Sequence, residues 1–96
     1  MTPARIARSG RAPSDGRIED ISEGGVLALT DQELASGEPV LLRFALPVSG
    51  KIVDLAATVR WTRAHRRGRV IGLEFTDLPL HARAEIHEYV GFLGGP

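Results

Sequence analysis

The sequence predicts an all-β domain with one helix: a small antiparallel β-barrel closed by a C-terminal α-helix. The chain has 96 residues, enough for one domain with a single core. Eleven glycines and six prolines divide it into short segments, and most of these alternate apolar and polar residues as strands do. Near the C-terminus the apolar residues recur every three or four positions, as in a helix. Five or six short strands followed by one helix most simply form a small barrel.

The first part of the chain contains the shorter strand candidates. The sequence pattern predicts two short strands at residues 17–21 and 26–29, with a polar turn between them. It also predicts an earlier strand at residues 4–8. We expect residues 1–16 to form a flexible N-terminal arm that can include this first strand. Residues 17–93 are then expected to form the barrel and its helix.

The middle of the chain carries the clearest strand patterns. Every second residue is apolar in residues 40–46, 53–61 and 69–76, which predicts three strands that each bury one face. The polar residues 63–68, rich in arginine, form the predicted hairpin loop between the last two strands. The side chains predicted to point inward are Val40, Leu42, Phe44, Leu46, Val53, Leu55, Ala57, Val59, Trp61, Ile71, Leu73 and Phe75.

The C-terminal segment predicts the helix. Asp77 and Pro79 are typical of a helix entry, and Gly94 and Gly95 are typical of its end. The apolar residues between them form one helical stripe, which consists of Ala82, Ile86, Tyr89, Val90 and Leu93.

Charge and composition exclude several classes of protein. Twelve basic and twelve acidic residues give a net charge of zero, which argues against binding to nucleic acid or a membrane surface by bulk charge. No apolar run is long enough to span a membrane, and the first residues lack the apolar stretch of a signal peptide. We therefore expect a cytoplasmic domain that does not insert into a membrane. The absence of cysteine excludes a disulfide framework and a thiolate metal site.

The most informative stretch is residues 20–25, Asp-Ile-Ser-Glu-Gly-Gly. Asp20 and Ser22 are two residues apart at the end of a predicted strand, so both side chains leave the same face. The carboxylate accepts hydrogen bonds, and the hydroxyl donates or accepts them. Gly24 and Gly25 permit a positive φ and let a ligand approach the bare backbone. Such a set can bind the edge of a nucleobase and a nearby phosphate, but a tight turn requires the same residue types.

Asp20, Ser22 and Gly25 match the DxSxxG motif of the PilZ domain family, which the sequence resembles over roughly residues 17–91. The likeness continues through residues 26–29, 37–40, 42–46, 59–61 and 72–75 and into the helix that residues 78–79 open. This resemblance implies a six-stranded β-barrel with a C-terminal helix, acting as a non-catalytic bacterial receptor for cyclic di-GMP.

The family's second motif, RxxxR, is not matched. In the family it precedes the first strand, and its two arginines clamp the guanines and phosphates of the ligand. No two of the N-terminal arginines here are four residues apart, and the family's pair would stand before residues 4–8 if these form the first strand. Arg5 and Arg8 are the nearest substitutes. The ligand-binding residues that the resemblance implies are therefore Arg5, Arg8, Asp20, Ser22 and Gly25.

The resemblance leaves two functions open. In the first, the domain binds cyclic di-GMP without any cofactor or metal, and a downstream protein partner responds to the bound state. In the second, the domain is a degenerate PilZ domain that binds no nucleotide and acts as a protein–protein adaptor. The intact DxSxxG motif favours the receptor, and the unmatched RxxxR motif favours the adaptor.

Two further functions are weighed against structural explanations of the same residues. Trp61 and the arginines around it could form a stacking platform for single-stranded nucleic acid. Trp61 falls on the apolar face of its strand, however, so we expect it in the core and the arginines on a solvated hairpin, with a partner-binding tip as the alternative. An enzyme is not expected, because no histidine lies within sequence reach of Asp20 and Ser22 as a base. His81 and His87 are six residues apart on the helix, a poor spacing for metal ligands.

Overall fold

A computed structural model of the chain describes residues 2–46 and 49–94, and for residues 89 and 91–94 it describes the helical backbone alone. Six β-strands are followed by one α-helix. The elements are β1 (Thr2–Ala7), β2 (Ser14–Ile21), β3 (Gly25–Thr30), β4 (Pro39–Ala45), β5 (Ile52–His65), β6 (Gly68–Phe75) and α1 (Leu80–Gly94).

The six strands form one closed antiparallel barrel in the order β1-β2-β3-β6-β5-β4. β1 pairs with β2 on one side and with β4 on the other, and the second pairing closes the barrel. Closure satisfies the backbone groups that an open sheet edge would leave unpaired. The predicted fold class, a six-stranded barrel with a C-terminal helix, is confirmed.

Alternation along β4, β5 and β6 builds half of the core, as predicted. Every predicted inward residue from Val40 to Val59 is buried, and so are Ile71 and Leu73 of β6. Phe75 is partly buried and packs against this core. The one residue of the predicted set that lies outside the core is Trp61, which is exposed.

Residues 2–7 of the predicted flexible arm are a full strand of the barrel. Thr2, Ala4 and Ile6 are buried, so β1 contributes one face to the core. Gly16 of β2 makes room for this strand, because a Cβ at Gly16 would come within 2.8 Å of Cδ1 of Ile6. The first strand that the sequence allowed within residues 1–16 is therefore part of the barrel, since its alternation is sufficient to bury one side of it.

Two β-bulges interrupt the alternation of the strands. In β2 the register against β3 shifts between Ile18 and Asp20, and in β5 the register against β6 shifts between Val59 and Trp61. Each bulge inserts one extra residue, so the side chain that would have pointed into the barrel points out of it. The two bulges thereby turn Asp20 and Trp61 onto the outer surface.

The helix contributes its apolar stripe to the core. Ala82 and Ile86 are buried among the strand residues, and Val90 packs against them. This agrees with the predicted stripe, whose two remaining members, Tyr89 and Leu93, have side chains outside the described part of the chain.

The chain enters the helix through a left-handed residue. Asp77 has a φ of 48°, a conformation that aspartate tolerates better than most residues. The carbonyl oxygen of Pro79 accepts the amide of Arg83 at 2.8 Å, so Pro79 immediately precedes the helix instead of lying within its first turn. The helix extends to Gly94, and Gly95 lies outside the described residues.

Candidate functional site

Ser22 and Gly25 build the tight turn between β2 and β3. The Ser22 amide donates to the Gly25 carbonyl oxygen at 2.9 Å. The Ser22 Oγ accepts hydrogen bonds from the amides of Gly24 and Gly25 at 3.3 and 3.2 Å, and it lies 3.3 Å from the Gly25 carbonyl oxygen. The hydroxyl is therefore engaged by the turn itself, which is the role that the turn interpretation of the motif predicts.

The glycines of the motif do not adopt a left-handed backbone. Among the described residues, positive φ angles occur elsewhere, at Gly10, Gly37, Gly50, Gly68 and Asp77. A Cβ on Gly25 would overlap the carbonyl oxygen of Leu73 in β6, whereas nothing lies within 4 Å of a Cβ on Gly24. The predicted positive φ is wrong. Gly25 is required because the backbone of β6 approaches it closely.

Asp20 presents its carboxylate on the outer surface beside this turn. Its Oδ1 accepts the amide of Ile21 at 3.0 Å, which orients the side chain. Its Oδ2 has no hydrogen-bond donor among the described residues. Asp20 is thus the member of the motif with acceptor capacity left for a ligand.

Trp61 lies on the outer surface, contrary to its predicted place in the core. Its side chain is 40% exposed because the bulge before it reverses the alternation of β5. The indole lies over Gly72 of β6, where a Cβ would overlap the ring. The guanidinium carbon of Arg63 lies 5.2 Å from the ring centroid, which is a cation–π contact.

Asp20 and Trp61 form the two ends of one row across four strands, which we call the central row. Asp20 pairs with Leu27, Leu27 pairs with Gly72, and Gly72 pairs with Trp61. Paired residues of adjacent strands project to the same face, so a carboxylate, an apolar middle and an aromatic ring lie side by side. With strands about 4.8 Å apart, the two ends of the row are separated by about 14 Å.

A cavity of about 290 Å³ follows the central row, and we call it the outer groove. The Arg60 Nε donates to Glu74 Oε1 at 2.8 Å on one wall of the groove. The groove therefore offers a carboxylate, an aromatic ring, bare glycine backbone and one paired arginine. The residues that line it are Asp20, Ser22, Gly24, Gly25, Val26, Leu27, Arg60, Trp61, Gly72, Leu73 and Glu74.

The structure brings Asp20, Ser22 and Gly25 together at the outer groove, and it places Arg5 and Arg8 elsewhere. Arg5 Nη1 lies 3.3 Å from Asp15 Oδ1 on the surface of β1 and β2. Arg8 Nε donates to Glu38 Oε2 at 2.5 Å, and both side chains of this pair are largely buried. The role of Arg5 and Arg8 as ligand contacts stays a prediction.

The Arg8–Glu38 pair has a pH-dependent role in stability. The Arg8 guanidinium, followed by the Ala35 amide, holds the pKa of Glu38 below its ordinary value of 4.5. A carboxyl whose pKa is lowered by folding stabilises the folded state above its unfolded pKa. That contribution is lost as the pH falls through the lower folded value.

Replacing Glu38 by glutamine should therefore lower the stability of the domain at neutral pH and change it little in acid. Urea unfolding of both proteins at a series of pH values, from 7 to well below 4.5, tests this, because the contribution of Glu38 is lost as the pH falls through its folded pKa. If the difference in unfolding free energy between the two proteins were the same at every pH, ionisation of Glu38 would not stabilise the fold.

A side-chain contact joins the β2–β3 turn to the helix. Glu23 of the β2–β3 turn contacts His87 of α1. Within residues 2–46 and 49–94, no group of three or more histidine, aspartate or glutamate side chains could hold a metal ion.

In the same part of the chain, no helix is both long and apolar enough to cross a membrane.

Replacing Trp61 by alanine should leave the domain folded. A half-exposed ring over Gly72 contributes less than a core residue, so we expect a loss of less than about 1.5 kcal/mol, against about 3–5 kcal/mol for a buried tryptophan. Urea denaturation measures the difference. A loss in the higher range would show that the ring belongs to the core after all.

Sequence reasoning did not assign Trp61, Arg60 or Gly72 to the site. A signal was present, because an isolated glycine within a strand pattern often marks a bulge or a close approach in the neighbouring strand. Gly72 interrupts the apolar run of β6 opposite the point where β5 bulges. The glycine therefore indicated that the alternation of β5 would not continue to Trp61.

The chain has the same fold as several solved proteins. Bacillus subtilis inhibitor of motility, MotI/DgrA, is 18% identical with a TM-score of 0.81, and the alignment covers 97% of this chain and 46% of that one. Escherichia coli YcgR, solved in complex with c-di-GMP, is 15% identical with a TM-score of 0.80. That alignment covers 97% of this chain and 41% of YcgR. The chain thus spans less than half the length of these two proteins. No curated protein matches the chain.

A shorter structure agrees along nearly its whole length. The PilZ domain of CeSA from a cellulose-synthesizing bacterium is 26% identical with a TM-score of 0.67, and the alignment covers 98% of this chain and 94% of that one. The family model for the PilZ domain matches residues 1–92, which include all six strands and most of the helix. The chain belongs to the PilZ domain family.

Proposed function

We propose that this domain is a non-catalytic receptor for cyclic di-GMP, which binds in the outer groove. The observation that carries the proposal is the central row, in which a carboxylate with free acceptor capacity and an exposed indole lie on one surface of a PilZ barrel. YcgR, whose barrel has the same fold, was solved with c-di-GMP bound.

The groove has the chemistry that a guanine base requires. The Watson–Crick edge of guanine carries N–H donors, and the free oxygen of Asp20 is an acceptor for them. The Trp61 indole is 40% exposed and offers a stacking surface once the Arg63 guanidinium, 5.2 Å from the ring centroid, moves aside. Base–aromatic stacking contributes about 1–3 kcal/mol per base. The bare backbone of Gly24, with nothing within 4 Å of its Cβ position, leaves room for the base to approach this surface.

The arrangement gives no support to a catalytic function. Ser22 Oγ bonds only to backbone groups of its own turn among the described residues, so it has no base that would activate it. His87 contacts Glu23 and does not line the groove.

Since a receptor without catalytic activity acts through another protein, we propose that a bacterial, cytoplasmic partner protein responds to the ligand-bound domain.

One observation favours a second function, that of an adaptor that binds no nucleotide. The Ser22 hydroxyl is used by the turn, and Gly25 is required by the approach of β6, so two of the three matched motif residues have structural reasons to be present. In this alternative the motif maintains the fold, and only Asp20 lacks a structural role.

Isothermal calorimetry with cyclic di-GMP, and with GMP as a control, distinguishes the two functions. The receptor should bind cyclic di-GMP with a dissociation constant of about 10 μM or tighter and should bind GMP far more weakly. If no heat of binding is seen up to about 1 mM ligand, the receptor proposal fails and the adaptor remains.

A further inference from the structure

Two arginines on the same outer surface as the groove have no carboxylate partner in the part of the chain that the structure describes. Within residues 2–46 and 49–94, Arg17 and Arg63 take part in no ion pair, whereas Arg5 and Arg8 are each held by a carboxylate. Both unpaired side chains are exposed. A guanidinium without an acidic partner is available to an anionic ligand at no cost in broken ion pairs.

The strand register places these two arginines in a row directly beside the central row. Arg17 pairs with Leu29, Leu29 pairs with Val70, and Val70 pairs with Arg63. We call this the arginine row. Leu29 follows Leu27 of the central row by two residues of β3, so the two rows lie about 7 Å apart on the same face.

The two rows have complementary chemistry. The central row supplies a carboxylate and an aromatic ring, and the arginine row supplies one guanidinium on each side of an apolar strip. At their Cα atoms the two arginines are about 14 Å apart, so their long side chains can approach one another over Leu29 and Val70. Arg63 is further held by its cation–π contact with Trp61, at 5.2 Å from the ring centroid.

We propose that Arg17 and Arg63 bind the phosphates of the cyclic dinucleotide in this domain. The inference rests on the proposed function and adds to it the cationic half of the site, which RxxxR supplies elsewhere in the family. Guanidinium groups form paired, charge-assisted hydrogen bonds with phosphate oxygens, and these are among the strongest hydrogen bonds that proteins make. With the base at the central row, the sugar–phosphate ring lies over the arginine row.

A second cavity on this surface supports the position of Arg17. Its volume is about 270 Å³, and Arg17, Leu29 and the bare backbone of Gly16 are among the residues that line it. Asp15 and Asp31 also line this cavity. Along their strands both carboxylates lie further from the central row than Arg17 does, because Asp15 precedes Gly16 and Asp31 follows its partner Thr30. An anion near the central row therefore meets Arg17 before it meets either carboxylate.

The test is a set of paired arginine variants titrated with cyclic di-GMP. Arg17→Ala with Arg63→Ala should weaken binding by about 100-fold, since each charge-assisted hydrogen bond contributes at least about ten-fold. Arg11→Ala with Arg83→Ala removes the same charge from exposed arginines on other parts of the surface and should change affinity less than about three-fold. Linear pGpG, as a second probe, shows whether the row selects the cyclic phosphodiester.

The results separate this inference from the proposed function. If the Arg17 and Arg63 pair binds as the control pair does while the wild-type chain binds tightly, the inference is overturned and the receptor function stands. A large loss from Arg5→Ala with Arg8→Ala and none from Arg17 and Arg63 would assign the phosphates to the N-terminal arginines instead. If the wild-type chain binds no cyclic di-GMP, both the function and this inference fail.

Discussion

Replacing Gly25 by alanine is expected to destabilise the domain by about 3 kcal/mol or more, at the upper end of the cost of overpacking. The added Cβ would overlap the carbonyl oxygen of Leu73, which is backbone and cannot rotate away as a side chain could. Relief would require β3 and β6 to separate where Gly25 pairs with Glu74. Urea denaturation followed by circular dichroism measures the loss of unfolding free energy.

Gly24→Ala is the matched control for this change. Gly24 is the neighbouring residue in the same turn, and no atom lies within 4 Å of a Cβ placed on it. We expect its stability to stay within about 1 kcal/mol of the wild type. Equal destabilisation by the two substitutions would contradict the close approach of β6 as the reason for Gly25.

Replacing Asp20 by asparagine is expected to weaken the binding of cyclic di-GMP by about ten-fold to one hundred-fold. The substitution keeps the shape of the side chain but removes one acceptor oxygen and the charge, and a hydrogen bond to a charged group contributes about 1.5–3 kcal/mol. Stability should change little, because the carboxylate is exposed and its one hydrogen bond is to the adjacent amide of Ile21. Calorimetric titration and urea denaturation of the same variant measure the two effects.

Glu88→Gln on the exposed surface of α1 serves as the control for charge. It makes the same change in net charge at an exposed residue that does not line the groove, and its affinity should match the wild type. The site would lose its main support if Asp20→Asn bound as tightly as the control variant. A large loss of stability in Asp20→Asn would instead indicate that the whole motif serves the turn.

Strand alternation was a reliable guide wherever one face of a strand packs into the barrel. Leu42 and Leu55 lie in the core as predicted, because a one-residue slip would expose the whole apolar face of their strands. Trp61 shows where alternation fails. A bulge is set by backbone geometry across two strands, and the alternation within β5 alone contains no trace of it.

The arginines show a second limit of sequence spacing. The two arginines of RxxxR are close together in the sequence. Arg17 and Arg63 are far apart in the sequence and lie in one row only through the pairing of β2, β3, β6 and β5. In the same register Thr2 is the residue of β1 nearest to Asp20, because Thr2 pairs with Ile18. Arg5 is three residues further along β1, about 10 Å from Thr2, and so lies further from Asp20.

The turn interpretation and the proposed ligand-binding role of the DxSxxG motif rest on different residues. Ser22 and Gly25 maintain the turn and its approach to β6, as the turn interpretation predicts. Asp20 has one oxygen without a hydrogen-bond donor in the described part of the chain, and this oxygen is the one that the proposed ligand contact uses. Composition alone cannot divide the roles, since turns and ligand sites prefer the same residue types.

The most direct test of the outer groove is a two-dimensional ¹H–¹⁵N NMR titration with cyclic di-GMP. Trp61 is the only tryptophan, so its indole N–H gives a single signal from the floor of the groove. We predict that this signal and the amides of Gly24, Gly25 and Gly72 shift with ligand, while amides of β4 such as that of Leu41 do not. Shifts centred on β1 and β4, or none at saturating ligand, would contradict binding in the outer groove.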